Sequence, residues 1–351
     1  MAGRLPKLIL AAATIFAGGL GHNAFPASAL LANGDILVAW RNATDHLSND
    51  GTIYLARSTD GAKTWSAGTQ IYAVPGSDIR VNLGMQQLPN GDILLPVFKV
   101  TSGTFIGTII LASTDNGATW SVRSSFNGIG TFTRAGPYGR IIVQDAGATI
   151  LMSGVADNGG NTASAAYLAK STDSGATWTY QGTIAYDATM AKMYTEVSVV
   201  DKGSSNLVAF IRNDNDPYHL WVAFSANNGV TWTGLAQVSP AAPGVAPDAI
   251  RLSDGSIVCF SEWRDTSHSI VRGIISTDGG VTTGTPRDIF ERDIGFDTGY
   301  TSSVILGNYL LLPFYFATAY QVPPSPLGFA GASSVGQIGP WYVESLKAFL
   351  S

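Results

Sequence analysis

An eight-residue motif recurs at near-constant spacing along the 351-residue chain, and it constrains the fold more than any other feature. The pattern S-x-D-x-G-x-T-W is matched, with small departures, by segments 58–65, 113–120, 171–178 and 225–232. A fifth copy at 276–283 ends in Thr instead of Trp. The starts are 55, 58, 54 and 51 residues apart. Repeats of this length indicate a solenoid or a propeller.

Each motif is interpreted as a tight turn between two strands. Its Asp carboxylate is expected to accept backbone N–H groups within the turn, and its Gly to adopt a positive φ. The Trp ring would then cover the hydrophobic side of the hairpin. A calcium loop needs several more oxygen ligands at fixed offsets. The motif therefore predicts a structural turn rather than a catalytic or metal site.

A second element recurs between the motifs, and it consists of two alternating apolar and polar runs joined by a short Gly, Asn or Asp turn. Such hairpins lie at 26–40, 81–98, 134–154, 194–212, 245–264 and 298–316. Alternation around a short turn is typical of a β-hairpin. Six hairpins, most of them followed by a further strand and a turn motif, predict an all-β chain. We expect one six-bladed β-propeller of four-stranded antiparallel blades, a single domain over residues 1–351.

The two ends of the chain are expected to close the ring together. The apolar run at 5–16 and the run at 341–349 are each interpreted as a strand of the sixth blade. The first run also fits a secretory leader, with Ala27-Ser28-Ala29 as its cleavage site. Cleavage there would remove half of a strand that the repeats require, so we prefer the strand. No run of 18 or more apolar residues predicts a membrane span.

Composition excludes several classes of function. Only 13% of residues are charged and 45% are hydrophobic, which excludes an intrinsically disordered chain. The net charge of −5, with no basic patch, argues against a nucleic-acid partner. The single Cys259 excludes an intramolecular disulfide and a multi-cysteine zinc site, and the four His residues lack metal-ligand spacing. Neither a metal nor a cofactor is expected.

The octets resemble the Asp-boxes, also called BNR repeats, of the sialidase (neuraminidase) superfamily, and the resemblance covers nearly the whole chain. The segments around 194–213 and 299–306 also resemble inner strands of sialidases. This resemblance implies a glycoside hydrolase that acts on terminal acidic sugars of glycans. It implies Tyr300 as nucleophile with Glu196 as its base, and Arg212 and Arg272 as ligands of the substrate carboxylate. Arg41 is similar to an arginine near the family's substrate pocket.

The implied chemistry accounts for these residue types. A phenol has a pKa of about 10, so a nucleophilic tyrosine needs a carboxylate that accepts its proton. Sialidases use tyrosine because the substrate's own carboxylate would repel an anionic nucleophile. Arginine binds a carboxylate with a fork geometry that lysine lacks. The acid that protonates the leaving oxygen is expected in the loop after Arg41, as Asp45 or Asp50. Asp50 is slightly preferred, and a turn-capping role for it stays open.

One departure from the family pattern leaves two functions open. The family's first clamp arginine is expected in the segment Asn23-Ala24-Phe25-Pro26, where Ala24 takes its place. The chain is then either a sialidase-like hydrolase with an incomplete clamp or a non-catalytic glycan- or receptor-binding propeller, for example a phage virion component. Either would be extracellular or virion-associated, and the oligomeric state is left open. Further candidates at the channel mouth are Arg80, Arg134, Tyr138, Asp248, Glu262 and Arg264.

Overall fold

The predicted propeller is confirmed by a computed structural model of the chain. The structure describes residues 13–16, 21–81, 83–102, 104–160, 162–216, 219–239, 242, 244–264, 269–292, 298–317 and 333–351. Its strands form six sheets, and each sheet is one blade of a six-bladed β-propeller. Within each blade, consecutive strands pair in antiparallel order.

The first three blades follow one another along the chain. Blade one contains His22–Leu30, Ile36–Ala43, Thr52–Ser58 and Thr69–Tyr72, with Leu83–Gly84 added in parallel beside its inner strand. Blade two contains Asp78–Val81 and Gln86–Gln87, both paired with Ile93–Thr101, then Thr104–Ser113 and Ser121–Phe126. Blade three contains Arg134–Gln144, Thr149–Asp157, Ala165–Ser171 and Thr179–Tyr186, with a 3-10 turn at Asp145–Gly147.

The remaining blades complete the ring. Blade four contains Tyr194–Gly203, Asn206–Asn213, Trp221–Ser225 and Thr233–Gln237. Blade five contains Val245–Arg251, Ile257–Arg264, Ser269–Ser276 and Arg287–Arg292. Blade six contains Val304–Leu306, Tyr309–Ala317, Ser333–Tyr342 and Ala13–Phe16.

The sixth blade joins both ends of the chain, as the sequence predicts. Ala13–Phe16 pairs antiparallel with Ser333–Tyr342. Residues 5–12 of the predicted N-terminal strand lie outside the described residues. Two side-chain contacts also link the sixth blade and the segment before it to the first blade. The Trp65 indole donates to Gln337 at 2.9 Å, and the Ser28 hydroxyl donates to the Ser302 carbonyl at 2.6 Å. The ring is therefore closed by side chains as well as by strand pairing.

The prediction of a strand at 341–349 is wrong. The last strand ends at Tyr342, and Val343–Leu350 is an α-helix. Leu346 and Leu350 are four residues apart, and both are buried against the apolar core shared by the last two blades. That spacing places them on one face of a helix. A short apolar run fits either structure, and packing decides between them.

The turn motifs form the expected local network. In the second motif, the Asp115 carboxylate accepts the Thr119 N–H at 2.9 Å and the Thr119 hydroxyl at 2.5 Å. Gly117 has a φ of +84°, and the Trp120 indole donates to its carbonyl at 3.2 Å. Asn227 replaces the Asp in the fourth motif and still accepts the Thr231 N–H at 2.9 Å. These hydrogen bonds lie within one octet, so the motif can be recognised from the sequence alone.

Apolar cores lie between neighbouring blades. One cluster joins Leu37 and Ala39 of blade one to Ile93 and Leu95 of blade two, and the half-buried Trp120 packs against it. Cys259 is buried in the cluster between blades four and five. Among the described residues, no helix is long and apolar enough to span a membrane.

Candidate active site

A cavity of 490 Å³ lies where inner strands of several blades approach one another. Residues from the first four blades and from the segment before the sixth blade form its wall. The aromatic residues of the wall are Phe25, Phe98, Phe105, Tyr138 and Tyr300. Its charged residues are Arg80, Asp157, Glu196, Arg212 and Asp214. The fold thus brings residues that are far apart in sequence to one concave site.

Tyr300 and Glu196 meet in this cavity. The Tyr300 hydroxyl donates a short hydrogen bond to Glu196 Oε1, across 104 residues of sequence. Glu196 Oε2 accepts the Ala246 N–H at 2.8 Å, and Arg212 Nη1 lies 3.0 Å from Oε1. Three donors therefore converge on one carboxylate. The predicted pairing of these two side chains is present, whereas their catalytic role stays a prediction.

Local backbone geometry directs the side chains of Tyr300 and Glu196 into the cavity. Tyr300 has a φ of +45°, a backbone angle that residues other than glycine rarely adopt. A Cβ on the preceding Gly299 would lie 2.2 Å from Glu262 Oε2, so only glycine fits there. On the opposite side, the register of the inner strand of blade four shifts between Tyr194 and Val197. Tyr194 consequently packs in the core, and Glu196 faces the cavity.

Arg212 links Glu196 to a second carboxylate. Its Nε lies 2.6 Å from Asp214 Oδ1, and both side chains line the cavity. Burial raises the pKa of the Asp214 carboxyl, and the nearby Glu196 carboxylate adds to this effect, while Arg212 opposes it. The Asp214 side chain is still 42% exposed, so a ligand in the cavity can reach it. Asp214 is therefore a carboxyl group that retains a proton at higher pH than usual.

The predicted acids Asp45 and Asp50 lie outside the cavity wall. Asp50 accepts the Thr44 N–H at 3.1 Å and also binds the Ser48 hydroxyl. Although burial acts to raise the pKa of Asp50, these hydrogen bonds outweigh it and lower the pKa. Asp45 accepts the Leu47 N–H at 2.8 Å. Both aspartates hold the turn of this loop.

Arg41 is buried behind the cavity and does not line it. It is 0% exposed, and its Nε lies 2.5 Å from Asp78 Oδ1. Burial lowers the pKa of Arg41, and Asp78 opposes this shift. Arg80 binds the other oxygen of Asp78, with Nε at 2.6 Å, and Arg80 is the arginine of this cluster that reaches the cavity wall. Asp78 therefore lies between the two arginines, and Arg80 rather than Arg41 reaches the pocket in which the resemblance implies an arginine.

Arg272, expected in the same pocket, is not among the residues that line the cavity. Arg272 lies on the third strand of blade five, where its Nε is 2.6 Å from Asp288. Its guanidinium lies 5.2 Å from the centre of the Trp263 ring. Third strands stand away from the inner edge of a blade, and the role of Arg272 as a substrate ligand stays a prediction.

At the first clamp position, the residue on the cavity wall is not the one that the resemblance implies. Ala24 is 0% exposed and belongs to the core shared with Trp40. Phe25, with a φ of +57°, lines the cavity instead. The register of this strand shifts between Ala24 and Ala27, and such a bulge turns the next side chain inwards. An aromatic ring therefore stands where the family pattern expects a cation.

The sequence did not single out Asp157 and Asp214 as site residues. Asp157 lies 2.5 Å from Arg134 and accepts the Gly159 N–H at 2.8 Å. It ends the second strand of blade three, and Asp214 directly follows the second strand of blade four. Comparing the ends of second strands between repeats would have identified both. Among the described residues, no group of three or more His, Cys, Asp or Glu side chains could hold a metal ion.

Comparison with known proteins agrees with this architecture. The chain resembles a protein of unknown function from Dyadobacter fermentans, with 24% identity, TM-score 0.76, and 95% of this chain and 99% of that chain covered. It also resembles an alpha-L-arabinanase from Penicillium chrysogenum, with 18% identity, TM-score 0.68 and coverage of 94% and 98%. The NanB sialidase of Streptococcus pneumoniae gives 13% identity, TM-score 0.71 and coverage of 92% and 70%.

At these identities, the structural likeness establishes the fold. A comparison with curated proteins gave no sequence match. The sequence model of the BNR repeat-like domain matches residues 34–310, which is well over half of the chain. The chain therefore belongs to the BNR repeat-like domain family.

Proposed function

We propose that the protein is a glycoside hydrolase in which Tyr300 is the nucleophile and Glu196 is its base. The hydrogen bond from the Tyr300 hydroxyl to Glu196, inside the cavity, is the observation that carries this proposal. Solved structures with this fold include proteins named as sialidase, arabinanase and arabinofuranosidase, and these names support a glycosidase in general.

The proposed reaction has two steps. In the first, Glu196 accepts the hydroxyl proton of Tyr300 while the tyrosine oxygen bonds to the anomeric carbon. The glycosidic C–O bond breaks, and a carboxylic acid protonates the departing oxygen. In the second step, that carboxylate takes a proton from water, whose oxygen bonds to the anomeric carbon. The tyrosine oxygen leaves and recovers its proton from Glu196. Two displacements retain the anomeric configuration.

We assign the acid to Asp214. A general acid must hold its proton near the working pH, and burial raises the pKa of Asp214 whereas hydrogen bonds lower that of Asp50. Asp214 also lines the cavity that holds Tyr300.

The substrate class we propose is a terminal acidic sugar. A neutral phenol suits an anomeric centre that carries a carboxylate, since an anionic nucleophile would be repelled. Arg212 and Arg80 line the cavity and supply guanidinium groups for that carboxylate. Asp78 is shared between Arg41 and Arg80, and Arg80 is the one of the two that reaches the cavity wall. Its guanidinium can therefore contact an anionic ligand there.

The clamp is nevertheless weaker than the resemblance implies. Arg212 is bound to Glu196 and Asp214, Phe25 occupies the first position, and Arg272 lies elsewhere. Each charge-assisted bond contributes about 1.5–3 kcal/mol, so the loss of one should weaken sialoside binding roughly ten- to a hundredfold. This loss favours, as the second candidate function, a glycan-binding propeller without turnover.

Turnover of a panel of 4-methylumbelliferyl glycosides tests the proposal. The panel contains a sialoside, a uronide and a neutral α-L-arabinofuranoside. We expect hydrolysis of an acidic glycoside, and a loss of at least about 10²–10⁴-fold in Tyr300→Phe. Tyr186→Phe is the matched control, because Tyr186 is 46% exposed and is not among the residues that line the cavity. Hydrolysis of only the neutral glycoside would refute the substrate class. Activity that survives in Tyr300→Phe would refute the mechanism.

A further inference from the structure

Tyr138 is a buried tyrosine of the cavity whose hydroxyl has no hydrogen-bond partner in the part of the chain that the structure describes. The residue is 2% exposed. An unsatisfied buried hydroxyl is unfavourable, and most buried polar groups find a partner. A donor that stays unpaired beside a candidate reaction centre therefore calls for a functional explanation.

The fold fixes Tyr138 relative to Glu196. Ser153 Oγ lies 2.7 Å from the Tyr138 carbonyl and 3.1 Å from the Val197 carbonyl, so it bridges blade three to the residue after Glu196. Gly139 has a φ of +89°, and a Cβ there would lie 2.3 Å from the Val197 carbonyl oxygen. Only glycine permits this close approach of the two inner strands.

The fold also fixes Tyr138 relative to Tyr300. Two residues after Tyr138, Arg140 Nη2 donates to the Ser303 carbonyl at 2.7 Å, and Ser303 lies three residues after Tyr300. The rings of Tyr138 and Tyr300 are in edge-to-face contact, with centroids 6.2 Å apart. Tyr138 is therefore anchored to both members of the pair that the proposed reaction uses.

We propose that the Tyr138 hydroxyl is a positioned donor that binds the Tyr300 oxygen as negative charge develops on it. The inference rests on the proposed function and names a further residue of the same site. In the resting state, Tyr300 keeps its proton and Tyr138 has no partner. As Glu196 takes that proton, the Tyr300 oxygen becomes a strong acceptor, and the bond from Tyr138 forms. A preorganised donor of this kind stabilises the transition state more than the ground state.

Tyr138 can only donate if it remains protonated itself. Burial raises the pKa of Tyr138 well above its ordinary value, and the nearby Glu196 carboxylate adds to this effect. The hydroxyl therefore keeps its proton over the pH range in which the enzyme would work.

Tyr138→Phe tests the proposal through turnover and stability together. We expect the turnover number to fall roughly ten- to a hundredfold with KM little changed, because the bond forms only during reaction. The melting temperature should stay constant or rise, since an unsatisfied hydroxyl is removed. Tyr167→Phe is the matched control. Tyr167 is 0% exposed in the same blade, and its hydroxyl lies 3.4 Å from the Gly136 carbonyl. The control should lose some stability and keep its activity.

A second measurement does not depend on turnover. The protein is labelled with 3-fluorotyrosine, which lowers phenol pKa values into a range where the fold survives, and its ¹⁹F NMR spectrum is titrated with base. The Tyr300 resonance is the one absent from Tyr300→Phe. Its midpoint should rise by about one pH unit in Tyr138→Phe, equal to a tenfold change, and stay constant in Tyr167→Phe.

The two readouts separate the two proposals. A shifted midpoint in a protein that hydrolyses no glycoside would overturn the proposed function and leave the assignment of Tyr138 intact. An unchanged Tyr300 midpoint in Tyr138→Phe would overturn the assignment of Tyr138, whatever the activity. A fall in melting temperature equal to that of Tyr167→Phe, with an unchanged midpoint, would identify Tyr138 as a packing residue.

Discussion

The ion pair of Arg140 and Asp248 joins the third blade to the fifth, and its removal should destabilise the ring. Asp248 is 0% exposed, and its Oδ1 accepts Arg140 Nε at 2.9 Å and Nη2 at 2.7 Å. Its Oδ2 accepts the Ser303 N–H at 2.6 Å and also binds the Ser303 hydroxyl. One guanidinium therefore compensates the charge of a fully buried carboxylate.

Arg140→Met keeps the apolar stem and removes both donors from Oδ1. Breaking a buried ion pair from one side costs about 3–5 kcal/mol, because the remaining charge is left uncompensated. The Arg140 side chain is 19% exposed, so water can partly replace the lost donors. We therefore expect the lower end, a fall of about 3 kcal/mol in the free energy of unfolding.

Urea unfolding followed by tryptophan fluorescence measures this change. Arg123→Met is the matched control, because Arg123 is also 19% exposed and its partner Asp92 is 19% exposed rather than buried. The control should lose about 1 kcal/mol or less, as partly exposed pairs do. In an Asp248→Asn background, Arg140→Met should cost much less, since no charge is left behind. Equal losses for the Arg140 and Arg123 variants would refute the argument from burial.

Three further perturbations test the turn motif and the assigned acid. Trp120→Ala should lower the free energy of unfolding, measured in urea, by about 2–3 kcal/mol. This loss is smaller than for a fully buried ring, because Trp120 is half-buried. An unchanged free energy of unfolding would exclude its packing role. Hydrogen bonds from Thr119 lower the pKa of Asp115 from 3.8 to about 2, so its stabilisation is present above pH 4 and lost as pH falls towards 2. Asp115→Asn should therefore lose less stability than the wild type between pH 4 and pH 2 in thermal melts followed by circular dichroism. Asp214→Asn should slow glycosides with poor leaving groups more than those with good ones, and the same pattern in Asp50→Asn instead would return the acid to the first-blade loop.

The fold was predictable because its signals are local. Each Asp-box closes its hydrogen bonds within eight residues, as Asp115 and Trp120 do, and each hairpin shows its period in a short window. The error at 341–349 has the opposite cause. Whether that apolar run forms a strand or a helix depends on what Leu346 and Leu350 pack against, and many of their partners in blades five and six lie far away in sequence.

The site could be predicted only in part. The reason is that β-bulges determine which of its side chains face the cavity. The inner strands of blades one, three, four and five shift register at 24–27, 137–141, 194–197 and 245–248. A bulge turns a side chain to the other face, which strict alternation cannot anticipate. This effect placed Phe25 rather than Ala24 on the cavity wall. It also turned Glu196 towards the cavity, whereas Tyr194 packs in the core. The contact of Glu196 with Tyr300 followed from the resemblance of both segments to inner strands.

The charges around the cavity connect the proposed acid to the proposed substrate. Arg134 neutralises Asp157, and Arg41 and Arg80 together balance Asp78 and the nearby Asp50. Arg212 faces two carboxylates, Glu196 and Asp214, so that group is negative when both are ionised and neutral when Asp214 holds a proton. Protonation of Asp214 therefore removes the net negative charge of the group around Arg212. The protonation state in which Asp214 could serve as the proposed acid is thus also the state in which the cavity repels an anionic sugar least. One raised pKa would then control both substrate binding and leaving-group protonation, and both would be lost together as pH rises.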